Sequence, residues 1–211
     1  MLGLDPAELI ARAIVLIVAF TVHEFAHAFV ADYFGDDTPR SMGRLTLNPL
    51  VHLDPIGSLL LLVAGFGWAR PVMINPYALQ RTSPAAPMLV ALAGPVSNLL
   101  LAALAAVPIR LGVFQINLFS PGNQLLPDPS FVFSWFVLLN LILMLFNLIP
   151  IFPLDGEKVL NYFLPPSGQY FLDSIRPYGS IILIVVVFAV PTVLQAVVFR
   201  PALSFFSFLV G

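Results

Sequence analysis

The chain contains no cysteine, which removes disulfides and thiolate metal ligands together. Charge is nearly as scarce. Lys, Arg, Asp and Glu make up 9% of the 211 residues, against about a quarter in an ordinary soluble domain. That is too little polar surface to clothe a globule in water. The nine cations are scattered and leave a net charge of −2; with no basic patch, nucleic acid is not an expected partner. Histidine occurs only three times. What fills the space is apolar: 59% of the residues are hydrophobic, so lipid is the expected solvent for much of the chain.

Four runs, at 9–32, 86–109, 131–151 and 179–199, are long enough to cross a hydrocarbon layer of about 30 Å as helices. Pro191 should kink the last of them. The tail at 202–210, ALSFFSFLV, reads as too short to span and suited to the interface. The segment MLGLDPAELIAR is acidic ahead of its apolar run and has no small-residue cleavage site, so it reads as a retained membrane helix. The twenty prolines cluster between the apolar runs, where they punctuate the chain. No internal repeat interrupts the pattern, and residues 1–211 read as one integral-membrane domain.

Residues 56–75, IGSLLLLVAGFGWARPVMIN, have an apolar core too short to span. The Gly65-Phe66-Gly67 centre with apolar flanks reads as a re-entrant β-hairpin dipping into the membrane region. Backbone of that kind is tolerated at depth only when protein or a wet cavity surrounds it. Its exposed edge would accept an extended peptide as an added strand. The fold class expected is thus an all-α polytopic membrane protein with about four to six membrane segments and a re-entrant hairpin at 56–75.

Within the first apolar run stands His23-Glu24-Phe25-Ala26-His27. On a helix, positions four apart share a face, so both imidazoles can grip one ion. Zinc suits two imidazole nitrogens and a carboxylate oxygen, with a fourth position open. The glutamate between them is no ligand; it stands beside the open position as a general base. Three histidines and three glutamates in 211 residues would fall into this pattern by chance roughly once in a thousand sequences. Ionisable groups inside a membrane segment are moreover expensive and carry function by default. His52, Asp54, Asp155, Glu157 and Asp173 are the candidates for a third ligand.

Three further stretches accompany the histidine motif: GRLTLNPLVHLDPIGSL at 43–59, AGPVSN at 93–98 and NLIPIFPLDG at 147–156. In this order, over residues 20–160, they resemble the site-2 proteases, the zinc intramembrane metalloproteases, and are similar to compact bacterial members without PDZ or CBS domains. The resemblance implies one zinc ion held by His23, His27 and Asp155, with Glu24 as the catalytic carboxylate. It implies a transmembrane protein as substrate within the lipid bilayer, with room for a homo-oligomer or a regulatory membrane partner.

Topology bears on whether Asp155 can reach the histidines. If 56–75 spanned, helices 9–32 and 131–151 would run in opposite directions, and their C-terminal ends would lie some 20 Å or more apart. A re-entrant 56–75 makes them run the same way. It also gathers Arg40, Arg44, Arg70, Arg81, Lys158 and Arg176 on one side against Arg12, Arg110 and Arg200 on the other. By the positive-inside rule the richer side is cytoplasmic, which places the active site facing the cytoplasm in a cell inner membrane.

Three polar residues are weaker candidates. Asn98 reads equally as a hydrogen-bond donor to a substrate carbonyl or oxyanion and as an interhelical contact beside small residues. Asn147 could orient the Asp155 loop or bind substrate, and His52 could support the transition state. Two rival functions remain in view: a zinc-binding scaffold that captures helices without cutting them, for which Glu24 would be superfluous, and a metal transporter, whose paired repeats are not evident.

Overall fold

The computed structural model describes residues 5–64, 67–119 and 125–211. Helices make up most of it. The long ones are α1 (Pro6–Tyr33), α6 (Ala86–Arg110) and α7 (Pro129–Asn147). Between α1 and α6 lie four short helices: α2 (Thr38–Ser41), α3 (Pro49–His52), α4 (Pro55–Ala64) and α5 (Pro76–Thr82). After α7 come α8 (Asp155–Phe163), α9 (Pro166–Ile175), α10 (Gly179–Ala189), α11 (Pro191–Leu194) and α12 (Arg200–Val210).

The prolines do more than punctuate. Pro6, Pro49, Pro55, Pro76, Pro129, Pro166 and Pro191 each open a helix, at the one position where the missing N–H is no loss and the fixed φ is already helical. Side chains just ahead of them cap the free amides: Asp5 accepts from Ala7, Asn48 from Leu50, Asn75 from Tyr77 and Ala78, and Asp128 from Ser130. Each such cap is worth about 1 kcal/mol.

Among the described residues, five helical stretches are long and apolar enough to cross a membrane: Pro6–Tyr33, Ala86–Arg110, Pro129–Asn147, Pro166–Ala189 and Pro191–Val210. Two expectations change here. The 179–199 run is not one kinked helix, because α10 stops at Ala189 and Val190 leaves helical geometry at φ −130°, ψ 59°. The 202–210 tail is not a separate interfacial piece, because it completes the stretch from Pro191 to Val210. The ring of Pro201 opposes the carbonyl four residues back, at Val197. A π-type turn at Gln195–Phe199 widens the backbone there and lets the helix continue.

The hairpin expected at 56–75 is also not what forms. Its first half is the helix α4, its centre at Gly65-Phe66 lies outside the described residues, and residues 67–75 run without helix. Their one ladder contact among the described residues is an antiparallel bridge between Ala69 and Leu53. An uninterrupted Leu-Leu-Leu-Leu run favours helix locally, and among the described residues no partner strand competes. At ten residues, α4 is still too short to span.

The long helices form the core around the histidine motif. Arg12 near the start of α1 lies over the ring of Trp135 in the first half of α7, 5.3 Å from its centroid. Phe20, His23, Phe146 and Asn147, from the later parts of the same two helices, border one cavity. Helices α1 and α7 therefore run in the same direction, as the reach of Asp155 required. Helix α6 runs against them: Ala86 and Val90 at its start pack with Ala31 at the end of α1. Further along, Ala102, Ala105 and Ala106 pack with Val137 and Leu141 of α7 and with Ala202 and Phe206 of α12. Small residues at these crossings let backbones approach closely.

The parallel course of α1 and α7 is open to a direct check, because the native chain offers no competing thiol. Cysteines placed at positions 12 and 135 should be joined by a short bis-maleimide in membranes, whereas the pair at 12 and 147 should not.

Candidate metal centre

His23 and His27 project from one face of α1, and both are buried. Asp155 arrives from the start of α8, just after the loop that leaves α7. Gly156 makes that arrival possible. A side chain there would strike the carbonyl oxygens of Leu148 and Ile149, so glycine lets the start of α8 press against the end of α7.

The three donor atoms converge. His23 Nε2 and His27 Nε2 are 3.0 Å apart, and Asp155 Oδ2 lies 3.3 Å from the first and 3.2 Å from the second. Among the described residues, one group of acidic and imidazole side chains is clustered tightly enough to hold an ion, and it is this one. Zinc with bonds of 2.0–2.1 Å in a tetrahedron sets its ligands about 3.3 Å from each other, so the spacing fits that ion.

The far sides of the rings support the same reading. His27 Nδ1 donates to the Val90 carbonyl oxygen at 2.7 Å. His23 Nδ1 donates to Asn98 Oδ1 at 2.6 Å, and Asn98 is held in that orientation because its Nδ2 donates to Asn140 Oδ1 at 2.9 Å. Asn140 in turn donates to the Phe136 carbonyl at 2.9 Å. With both Nδ1–H groups committed, both Nε2 lone pairs face the Asp155 oxygen, and only a cation satisfies all three. Such outer hydrogen bonds fix the tautomer and aim of a ligating imidazole.

Gly94 of α6 closes the back of the cluster. A Cβ on that residue would fall on His23 Nε2 and His27 Nε2, so the AGPVSN stretch brings backbone against the rings. Glu24 is buried beside its neighbours and accepts a hydrogen bond from the Val72 backbone N–H at 3.0 Å. It borders a cavity of about 500 Å³ that His23, His27 and Asp155 also line. The remaining walls are mainly apolar, with residues of the 67–75 segment on one side and Leu194, Val198 and Phe199 on another.

The weaker candidates part company. Asn98 is fully buried and has both halves of its amide engaged by His23 and Asn140, away from the cavity lining. Asn147 does border the cavity, and it donates to the Leu143 carbonyl within α7. His52 is fully buried, with Nε2 donating to the Thr46 carbonyl at 2.7 Å, and is not brought to the ligand cluster. Of the other ligand candidates, Glu157 pairs with Arg176 at 2.6 Å, and Arg176 also reaches Asp173 at 3.2 Å. Asn140, an amide in the middle of an apolar helix, is a visible signal in the sequence, whereas no sequence signal marks the backbone groups of Val90 and Val72.

Comparison with known proteins agrees with this geometry. The profile of peptidase family M50 matches residues 111–190. The chain is 46% identical over 176 residues to a Bacillus subtilis protein named "Putative zinc metalloprotease YwhC", covering 82% of this chain and 77% of that one. It is 32% identical over 204 residues to "Putative zinc metalloprotease Rip2" of Mycolicibacterium smegmatis, covering 91% and 71%. A Mycobacterium tuberculosis protein of the same name is 34% identical over 182 residues, covering 83% and 65%. No solved structure gives a significant match. The fold and the site define a multi-pass membrane protein with a buried His-His-Asp cluster. The chain belongs to peptidase family M50, the site-2 protease family of metalloproteases.

Two substitutions test the supports of the cluster. Gly94→Ala should lower zinc affinity sharply while leaving the helical circular-dichroism spectrum unchanged, since its methyl occupies the space of the ligating nitrogens. Asn98→Leu should weaken zinc about 10–100-fold, measured by competition with a chromophoric chelator.

Proposed function

We propose that the protein is an intramembrane zinc endopeptidase that hydrolyses peptide bonds within or near transmembrane segments of other membrane proteins. One observation carries the reading: the three converging donor atoms and the Glu24 carboxylate line the same largely apolar cavity. His23, His27 and Asp155 hold a single zinc ion per chain, and their donor set of two neutral imidazoles and one carboxylate leaves a position open. Bound there, zinc supplies Lewis acidity to a scissile carbonyl and to a water.

The chain's own residues do the rest. Glu24 takes the proton from the attacking water and passes it to the leaving nitrogen. One of its oxygens is occupied by the Val72 N–H, which leaves the other free to handle that proton. The apolar walls receive an unwound segment of a substrate helix, whose carbonyls are otherwise hidden in internal hydrogen bonds. The pure scaffold reading gives Glu24 no task.

Only six residues separate His27 from Tyr33 at the end of α1, about 9 Å of helix rise. Water therefore reaches the cluster from the near end of the bundle without a long channel. That end carries Arg40, Arg44, Arg70, Arg81, Lys158 and Arg176, while Arg12 and Arg110 mark the other. Arg200, expected at the far end, lies inside the apolar Pro191–Val210 stretch, directly after the cavity-lining Phe199. By the positive-inside rule the site faces the cytoplasm from the inner membrane.

Glu24→Gln should keep one zinc per chain by atomic absorption and lose all cleavage of a membrane substrate, and a chelator should abolish the parental activity. A variant that still cuts at the parental rate removes Glu24 from the reaction. For orientation, a compartment-sensitive reporter at position 40 should report the cytoplasm, and one at position 120 the opposite side.

A further inference from the structure

The GRLTLNPLVHLDPIGSL stretch at 43–59 has so far no task in the chemistry, and no member of it holds the ion. Its side chains are nevertheless unusual. Arg44 is buried, with 7% of its surface exposed, and is not ion-paired in any salt bridge among the described residues. Its guanidinium instead donates to two backbone carbonyls, Val51 at 2.7 Å and Arg70 at 3.3 Å. Burial pulls this guanidinium below its ordinary pKa, the neighbouring charge of Arg70 does the same, and only Glu24 acts in the opposite sense. A cation kept at such a cost marks a position where its geometry is needed.

The two carbonyls belong to two chain segments that Arg44 draws together. Between them the Arg70 N–H donates to the His52 carbonyl at 2.8 Å, and Leu53 bridges Ala69. Gly57 lies so close to the backbone of Trp68 that a Cβ would strike its nitrogen and its carbonyl oxygen. Further along, the Asn75 N–H donates to the buried Asp36 carboxylate at 2.6 Å. Residues 67–75 are thus a strap bolted down on both sides of Val72, the residue whose N–H holds Glu24.

We infer that Arg44 is a positioning residue for Glu24: it clasps the strap to the 43–54 loop, so that the Val72 N–H meets one carboxylate oxygen and turns the other toward the reacting water. This rests on the endopeptidase reading for its consequence in catalysis, but the coupling from Arg44 to Val72 exists whatever the cavity does. A lysine offers a single point of charge where the planar guanidinium reaches two carbonyls at once, so the clasp needs arginine.

The test uses the full-length, zinc-loaded protein in nanodiscs, with two readouts. Hydrogen exchange at the Val72 amide reports the clasp, and cleavage of fluorescein-labelled casein, an unfolded chain, reports its effect on Glu24. Arg44→Met should speed Val72 exchange by about tenfold or more and lower kcat by a similar factor, with KM and zinc content unchanged. Arg44→Lys should recover part of both losses. Arg81→Met, which removes an exposed cation from the same end, should change neither. Unchanged Val72 exchange in Arg44→Met overturns the inference, as does a fall in kcat that merely follows zinc loss or melting temperature. If casein stays uncut by the parental protein while Val72 exchange still responds to Arg44, the endopeptidase reading fails and the clasp stands.

Discussion

Everything in this molecule accommodates one electrostatic problem: two imidazole lone pairs and a carboxylate oxygen brought within 3.0–3.3 Å of one another inside a largely apolar bundle. Three acceptors at that spacing repel unless a cation lies between them. The protein answers with an outer layer that leaves no ambiguity about where the protons are. The Val90 carbonyl and Asn98 take the Nδ1–H groups, and Asn140 sets the amide of Asn98. In stability terms such interhelical hydrogen bonds contribute little, on average about 0.6 kcal/mol in a membrane bundle. Their value lies in direction: they decide which nitrogen of each ring faces the ion, and that is a matter of function.

The second constraint is steric. The cluster draws on α1, α6 and the start of α8, and these can converge only where side chains vanish. Gly94 and Gly156 occupy the two places where a Cβ would collide, in one case with the ligating nitrogens and in the other with the backbone at the end of α7. The motifs flanking the histidines therefore read as two kinds of instruction, residues that bind and residues that make room. Arg44, His52 and Gly57 add a third, residues that hold a wall.

Much of this was legible beforehand, and for identifiable reasons. His23 and His27 announce themselves because a four-residue spacing on a helix needs no tertiary information. Asp155 joins them in the sequence only through the family resemblance; topology adds that it can reach, since a non-spanning 56–75 lets α1 and α7 run the same way. Asn98 was balanced between two roles because an amide in an apolar helix looks the same whether it faces a cavity or another helix. The β-hairpin expectation failed where glycines were allowed to outweigh four consecutive leucines. The tail reads as a separate piece because residues 202–210 fall short of a span by themselves, and only the structure joins them to the helical stretch that begins at Pro191.

The division follows the range of the forces involved. The amino-acid order alone determined the lipid environment, the long apolar helices and the paired histidines, because composition and local periodicity act over a few residues. Tertiary packing alone decided which amides face the imidazoles, which backbone N–H reaches Glu24, and that a buried arginine outside the ligand cluster braces that contact. Those choices depend on groups up to 75 residues apart in the chain approaching to within a single hydrogen-bond length, and no local pattern in the sequence encodes such a meeting.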